Sequence, residues 1–269
     1  MLGPPAGEAL TRLTPPARSG AGEGLEVLQQ KDNLCGPFHA ARILRDAGLS
    51  ESGGEPLDQD LVALRAGTVL PVREDGPQVP PGALSITAYR YELPRVDPAA
   101  SGTSAGGLAS SIEELSGGRL RCVPLSGTWD HARVERLVES AGAIDARLVA
   151  NVRSGRLWGS RPPIELLLAC LDGRELPGQP PAAEWDVGHF VELATVVRGR
   201  GGAVVVVRDS YPTLGWDGHH LQPPEAVAAA LTRGDGRGGG VLAVTAPARA
   251  EDAAQLAGEL GLHTEMWDN

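Results

Sequence analysis

The stretch LQQKDNLCGPFHAARILRDAG, Leu28–Gly48, decides how the rest of the chain is read. Downstream of Cys35, residues Ala40, Ile43, Leu44 and Ala47 recur at helical spacing, Pro37 falls in the first turn where its missing N–H costs nothing, and Gly48 marks a stop. Cys35 is therefore expected at a helix N-terminus. There the positive end of the macrodipole and several free N–H groups favour thiolate over thiol. Cys122 and Cys170 fall in apolar segments and read as core residues.

A thiolate nucleophile needs a base, and a base needs an orienting group. The most marked strand signals downstream are GHFVELATVV (Gly188–Val197) and AVVVVRD (Ala203–Asp209), joined by the turn RGRGG. A hairpin of these strands holds His189 at the start of one and Asp209 at the end of the other, so the carboxylate can fix the imidazole tautomer and favour imidazolium. Attack on a carbonyl also requires oxyanion donors. Gln29, six positions before Cys35, is the candidate, with Gln30 as the alternative and the Cys35 N–H as its companion.

Working outward, residues 1–24 carry four Pro and five Gly and read as a flexible arm, followed by one domain over 25–269. Within it, 49–126 reads as an elaborated helical lobe, with helices at Leu57–Ala66 and Leu108–Leu115, a Pro-rich loop over Pro71–Pro81, and a strand at Ser85–Leu93. Residues 127–269 read mainly as sheet. Strands are expected at Leu120–Leu125, Ala146–Val152 and Gly240–Ala246, and helices at Asp130–Ser140, Ile164–Leu171, Glu225–Leu231 and Glu251–Leu260, the first capped by Asp130. His219 and His220 read as loop residues at a cleft edge. Trp185 and Trp216, with Trp129 and Trp158, fall at element ends and suit either a cleft lining or loop anchors.

Composition narrows the function classes. The 269 residues are 42% hydrophobic and 22% charged, enough to build a core, and the formal net charge of −10 leaves no basic surface for nucleic acid. Apolar runs reach only five or six residues, so no membrane span is expected. MLGPPAGEALTRL lacks the basic start and apolar segment of a signal peptide, and the expected location is cytoplasmic. Cys35 with His39, and His219 with His220, do not form paired metal-ligand motifs, and the Gly-rich runs lack Walker spacing; no metal or cofactor is expected.

The Gln-x5-Cys-Gly segment, GHFVEL and VVVVRDS, in that order, resemble papain-like cysteine peptidases, above all the bacteriocin-processing (double-glycine leader) peptidase domains. The chain differs from those domains in Leu34 before the nucleophile, in Asp209-Ser210 at the acid, and in the 154 positions separating Cys35 from His189. The resemblance implies an α+β papain-like fold, a helical lobe carrying the nucleophile packed on an antiparallel β-sheet. It implies a Cys35–His189–Asp209 triad with Gln29 at the oxyanion; Gly36 and Gly188, flanking the reacting groups, and Trp185 and Trp216, at element ends, are the residues expected around the substrate. The implied activity is cysteine-dependent acyl transfer, cleaving or forming an amide bond; the expected cytoplasmic location points to a narrow peptide or carrier-bound substrate in a biosynthetic pathway, since a broad protease would threaten its own cell. The alternative is a catalytically silent domain of that fold which binds a peptide or carrier protein.

Overall fold

The computed structural model of the chain describes residues 29–72 and 79–269. The arm read at 1–24 and the middle of the Pro-rich loop lie outside the described residues. Those described form an α+β structure with seven α-helices and one six-stranded antiparallel sheet.

The sheet strands are β1 (Arg121–Leu125), β2 (Arg147–Arg153), β3 (Gly188–Arg198), β4 (Ala203–Arg208), β5 (His219–Gln222) and β6 (Gly240–Thr245). Their spatial order is β1-β6-β2-β3-β4-β5. Helices are α1 (Cys35–Asp46), α2 (Gln59–Arg65), α3 (Ala105–Leu115), α4 (His131–Ala141), α5 (Ile164–Asp172), α6 (Pro224–Thr232) and α7 (Ala250–Glu259).

Both faces of the sheet are covered. Val149, Phe190, Leu242 and Val244 pack with α1, α2 and α3, whereas Ala150, Val191, Ala243 and Val207 pack with α4, α6 and α7. Strands with two apolar faces need continuous apolar runs, which is why AVVVV and GVLAV show no alternation. Sequence reasoning expected a helical lobe packed on the sheet and gave no face to the later helices; in the structure α4, α6 and α7 cover the opposite face. Asp130 caps α4 as expected, accepting from the Arg133 N–H at 2.8 Å. The RGRGG turn is glycine-rich because it docks on the end of α5: Gly201 N–H donates to the Leu171 carbonyl at 3.1 Å, and a Cβ at Gly199 would lie 2.0 Å from that same oxygen.

Residues 85–93 form no strand, contrary to expectation. They strap the loop before α1 through side-chain bonds: Asp32 accepts from Ile86 N–H (2.9 Å) and from the Ser85 hydroxyl, and the Tyr89 hydroxyl donates to the Asp32 carbonyl (2.9 Å). Lys31, 3% exposed, donates through Nζ to Asp60 at the start of α2 and to the Ala88 carbonyl, both at 2.6 Å. Removing one partner of a buried pair strands the other charge, at a cost of about 3–5 kcal/mol. Lys31→Met is therefore expected to lower the urea-unfolding free energy by about 3 kcal/mol, with much of that recovered in Lys31→Met/Asp60→Leu. Equal losses in the single and double variants would refute this account of the strap.

Candidate active site

The site forms where β3 and β4 separate. Their pairing ends at Glu192–Arg208, and the chain beyond β4 turns toward the loop before α1, where the Gln30 N–H donates to the Ser210 carbonyl at 3.1 Å. The N-terminus of α1 enters this split. Past the end of strand pairing, the Phe190 N–H donates to Cys35 Sγ at 3.4 Å. Gly36 permits the approach, because a Cβ there would sit 3.1 Å from the Phe190 ring. Farther along, Glu192 ties helix to sheet by ion pairs with Arg42 and Arg147. Burial would raise the Glu192 carboxyl, but the two guanidinium groups hold it down to about 2.

His189, 1% exposed, donates from Nε2 to Asp209 Oδ1 at 3.1 Å and lies close enough to the Cys35 thiol to act on its ionisation. With Nε2 on the carboxylate, Nδ1 is the nitrogen left for sulfur. Burial disfavours the imidazolium, yet Asp209 first and Cys35 second outweigh it and raise His189 to about 10. Burial pushes the Cys35 thiol up, and the His189 hydrogen bond and charge, with the Phe190 and Gly36 N–H groups, bring it below its ordinary value. Burial raises Asp209 too, but His189 and His220 hold its carboxyl far below the usual range. The arrangement favours thiolate, imidazolium and carboxylate together. The other two thiols contrast with it: burial pushes Cys122 and Cys170 upward.

The imidazole is shielded by aromatics. Trp185 meets it edge-on at 4.9 Å between ring centroids, and buried Tyr211 stacks on it at 6.2 Å. Cys35 is only partly covered, and its sulfur opens onto a cleft of about 830 Å³ lined by Asn33, Trp185, Gly188, Phe190 and the turn 98–104. At the floor, the guanidinium of Arg233 is fixed by Asn151 and Asp235, and it passes so close to Gly188 that a Cβ there would be 2.8 Å away. Arg153 makes a two-point pair with Asp186 on the same wall, at 2.6 and 3.1 Å.

The family described as a family of unknown function (DUF6885) matches residues 22–268. The chain belongs to that family. No curated protein and no solved structure matches it. Within this DUF6885 chain the structure brings together Cys35, His189, Asp209, Gly188 and Trp185 from the sequence-predicted set. Gly36 is buried behind the thiol, and Trp216 sits half exposed on the turn into β5, outside the cleft wall. Gln29 directs its amide to the Leu84 carbonyl, and Gln30 accepts from the Ser210 hydroxyl. The bond to Leu84 takes one of the two amide hydrogens of Gln29. The Cys35 N–H, first in its helix, has no intrahelical acceptor.

Sequence reasoning missed three features of this site. His220 is no cleft-edge loop residue: it is 3% exposed on β5 and faces Asp209. Arg233, which the sequence reading did not single out, is 4% exposed. Asn33, with φ of 63° just before the helix, lines the cleft beside the thiol. A doubled His ahead of Leu-Gln was the only sequence hint of the first; the other two had none. Among the described residues, no helix is long and apolar enough to cross a membrane, and no His/Cys/Asp/Glu cluster could hold a metal ion.

Proposed function

We propose that this chain is a papain-like cysteine enzyme that transfers an acyl group by way of Cys35, His189 and Asp209. The observation that carries the reading is the placement of a thiol at a helix N-terminus, opening on a cleft, beside an imidazole that donates to Asp209. The Cys35 thiolate attacks the carbonyl carbon of an amide or thioester, and the oxyanion is met by the Cys35 N–H at the positive end of α1. His189 gives the Nδ1 proton to the departing amine or thiolate while Asp209 keeps Nε2 protonated. Water or an amine then attacks the thioester, returning its proton to His189 and freeing Cys35. Water as acceptor gives a peptidase or amidase; an amine gives an amide-forming acyltransferase. The cleft has the volume of a site for a short peptide segment or a carrier-bound acyl group, within the roughly 300–1,000 Å³ usual for specific ligand pockets.

The test is capture of the acyl-enzyme. The protein is incubated with panels of peptide amides and peptidyl or acyl thioesters, and intact-mass spectrometry looks for an adduct. An adduct localised to Cys35 and absent in Cys35→Ala is the expected result. Stoichiometric binding of a peptide or carrier without any adduct, equal in both forms, would replace this reading by that of a silent binding domain.

A further inference from the structure

We propose that His220 is a positioning residue of the same site, a second, neutral imidazole held by Gln222 so that its Nε2–H faces the free oxygen of the Asp209 carboxylate. This rests on the reading of Cys35, His189 and Asp209 as the reacting groups.

The hydrogen-bond directions follow from fixed backbone groups. Gln222, fully buried, accepts through Oε1 from the Trp158 N–H at 2.7 Å and donates from Nε2 to the Trp158 carbonyl at 3.1 Å. A flipped amide would set oxygen against carbonyl and N–H against N–H, so the orientation is determined. The remaining Nε2 hydrogen goes to His220 Nδ1 at 3.0 Å. Nδ1 is thus an acceptor, and the ring proton of the neutral imidazole lies on Nε2.

His220 Nε2 has no hydrogen-bond partner within bonding distance and lies 3.6 Å from Asp209 Oδ2. The other carboxylate oxygen, Oδ1, takes the His189 Nε2–H and the Tyr211 N–H, both at 3.1 Å. His220 Nε2 is the polar neighbour of Oδ2 among the described residues. At 3.6 Å the contact is longer than a formed hydrogen bond, as catalytic contacts often are before substrate tightens a site. A neutral donor suits this place. It satisfies a buried carboxylate oxygen and fixes the carboxylate plane, leaving the charge on Asp209 for His189. An imidazolium at 220 would compete with His189 for it. Other groups facing this carboxylate are the Ser210 hydroxyl, 3.4 Å from Oδ1, Tyr211 and, from α1, His39, which burial and Arg42 keep uncharged.

The first experiment needs no variant. Long-range proton–nitrogen NMR on the whole protein identifies which ring nitrogen of each histidine is protonated, and His220 is expected as the Nε2–H form. An Nδ1–H ring would overturn the inference. The second compares the pH profile of Cys35 alkylation in wild type, His220→Phe, His220→Gln and Gln222→Leu. Loss of the donor in His220→Phe is expected to slow Cys35 labelling at pH 6 by roughly 3-fold, a part of the roughly tenfold advantage that the thiolate–imidazolium pair gives this thiol. It also moves the acid limb upward, since Oδ2 is then buried without a partner. His220→Gln, which keeps a donor near the Nε2 position, should recover most of the rate, and Gln222→Leu should fall between. Equal slowing by Phe and Gln would mean packing alone and would overturn the proposal. Were His220→Phe to fail to fold, Gln222→Leu and the tautomer assignment would still decide. Fast wild-type labelling that is unchanged in every variant refutes only the role of His220. Slow wild-type labelling, no different from Cys122, refutes the acyl-transfer reading itself.

Discussion

At pH 6, iodoacetamide will label Cys35 of the wild-type protein at least about tenfold faster than Cys122 or Cys170, and His189→Ala will abolish the difference. An ordinary thiol, with a pKa of about 8.5, is only about 0.3% ionised at that pH. A thiolate held by imidazolium is ionised throughout, a gain of up to about 300-fold. Part of this is offset, because thiolates of lower pKa are weaker nucleophiles, with a Brønsted slope of about 0.4–0.5. An advantage near tenfold remains. The direction rests on opposed effects of known sign: burial raises the Cys35 thiol, whereas the His189 contact and the N–H groups of Phe190 and Gly36 lower it further than burial lifts it. Cys122 has only burial and the nearby Glu113 charge acting strongly on it, both upward. Removal of the His189 ring leaves burial dominant at Cys35, so its labelling should shift to alkaline pH. Residue-by-residue mass spectrometry measures all three thiols in one sample. Uniform labelling of the three in wild type would remove the thiolate–imidazolium pair from consideration, and with it the proposed chemistry.

How much of this was legible depended on the range of the interactions involved. The helix at Cys35 was readable because its apolar period, its first-turn Pro37 and the stop at Gly48, which adopts φ of 79°, are all local. The hairpin carrying His189 and Asp209 was readable for the same reason: long β-branched runs broken by glycine. The strap at 85–93 was misread as a strand. Its partners Lys31, Asp32 and Asp60 lie about 30 to 57 positions away, and most of its bonds involve a side chain, which leaves no periodicity to detect. His220 was misplaced because the strand that carries it has four residues, His-His-Leu-Gln, and is buried by contact with Asp209 and Trp158 and not by apolar character. Two-sided coverage of the sheet was latent in the unbroken AVVVV and GVLAV runs, since a strand wetted on one face would alternate. The general pattern is that elements defined by neighbours in sequence were found, and supports made across the fold were not.

Asp209→Asn should separate the electrostatic part of the site from its shape. The amide fills the same space and can still accept from His189, so the backbone need not move, but the negative charge is gone. His189, raised to about 10 chiefly because Asp209 overcomes burial, will then lose its proton at far lower pH, and NMR titration of the ring should show the fall directly. With neutral imidazole beside it, Cys35 loses its counter-ion. Its labelling at pH 6 should drop to the Cys122 level, and any turnover found for the wild type should fall on the order of 10³–10⁴-fold, as when the acid of a triad is neutralised. Stability should respond with a definite sign. A histidine whose affinity for its proton is raised by folding stabilises the native state fully below its unfolded value of about 6.5, and that contribution disappears as pH rises toward about 10. The Cys35 thiol has the opposite linkage, so the comparison belongs in a Cys35→Ala background. There, stability should decline from pH 6.5 upward, and adding Asp209→Asn should flatten the decline while costing on the order of 3 kcal/mol at pH 6. If the two backgrounds ran parallel from pH 6 to 10, His189 would not be held as an imidazolium by Asp209, and the activation assigned to Cys35 would have no source.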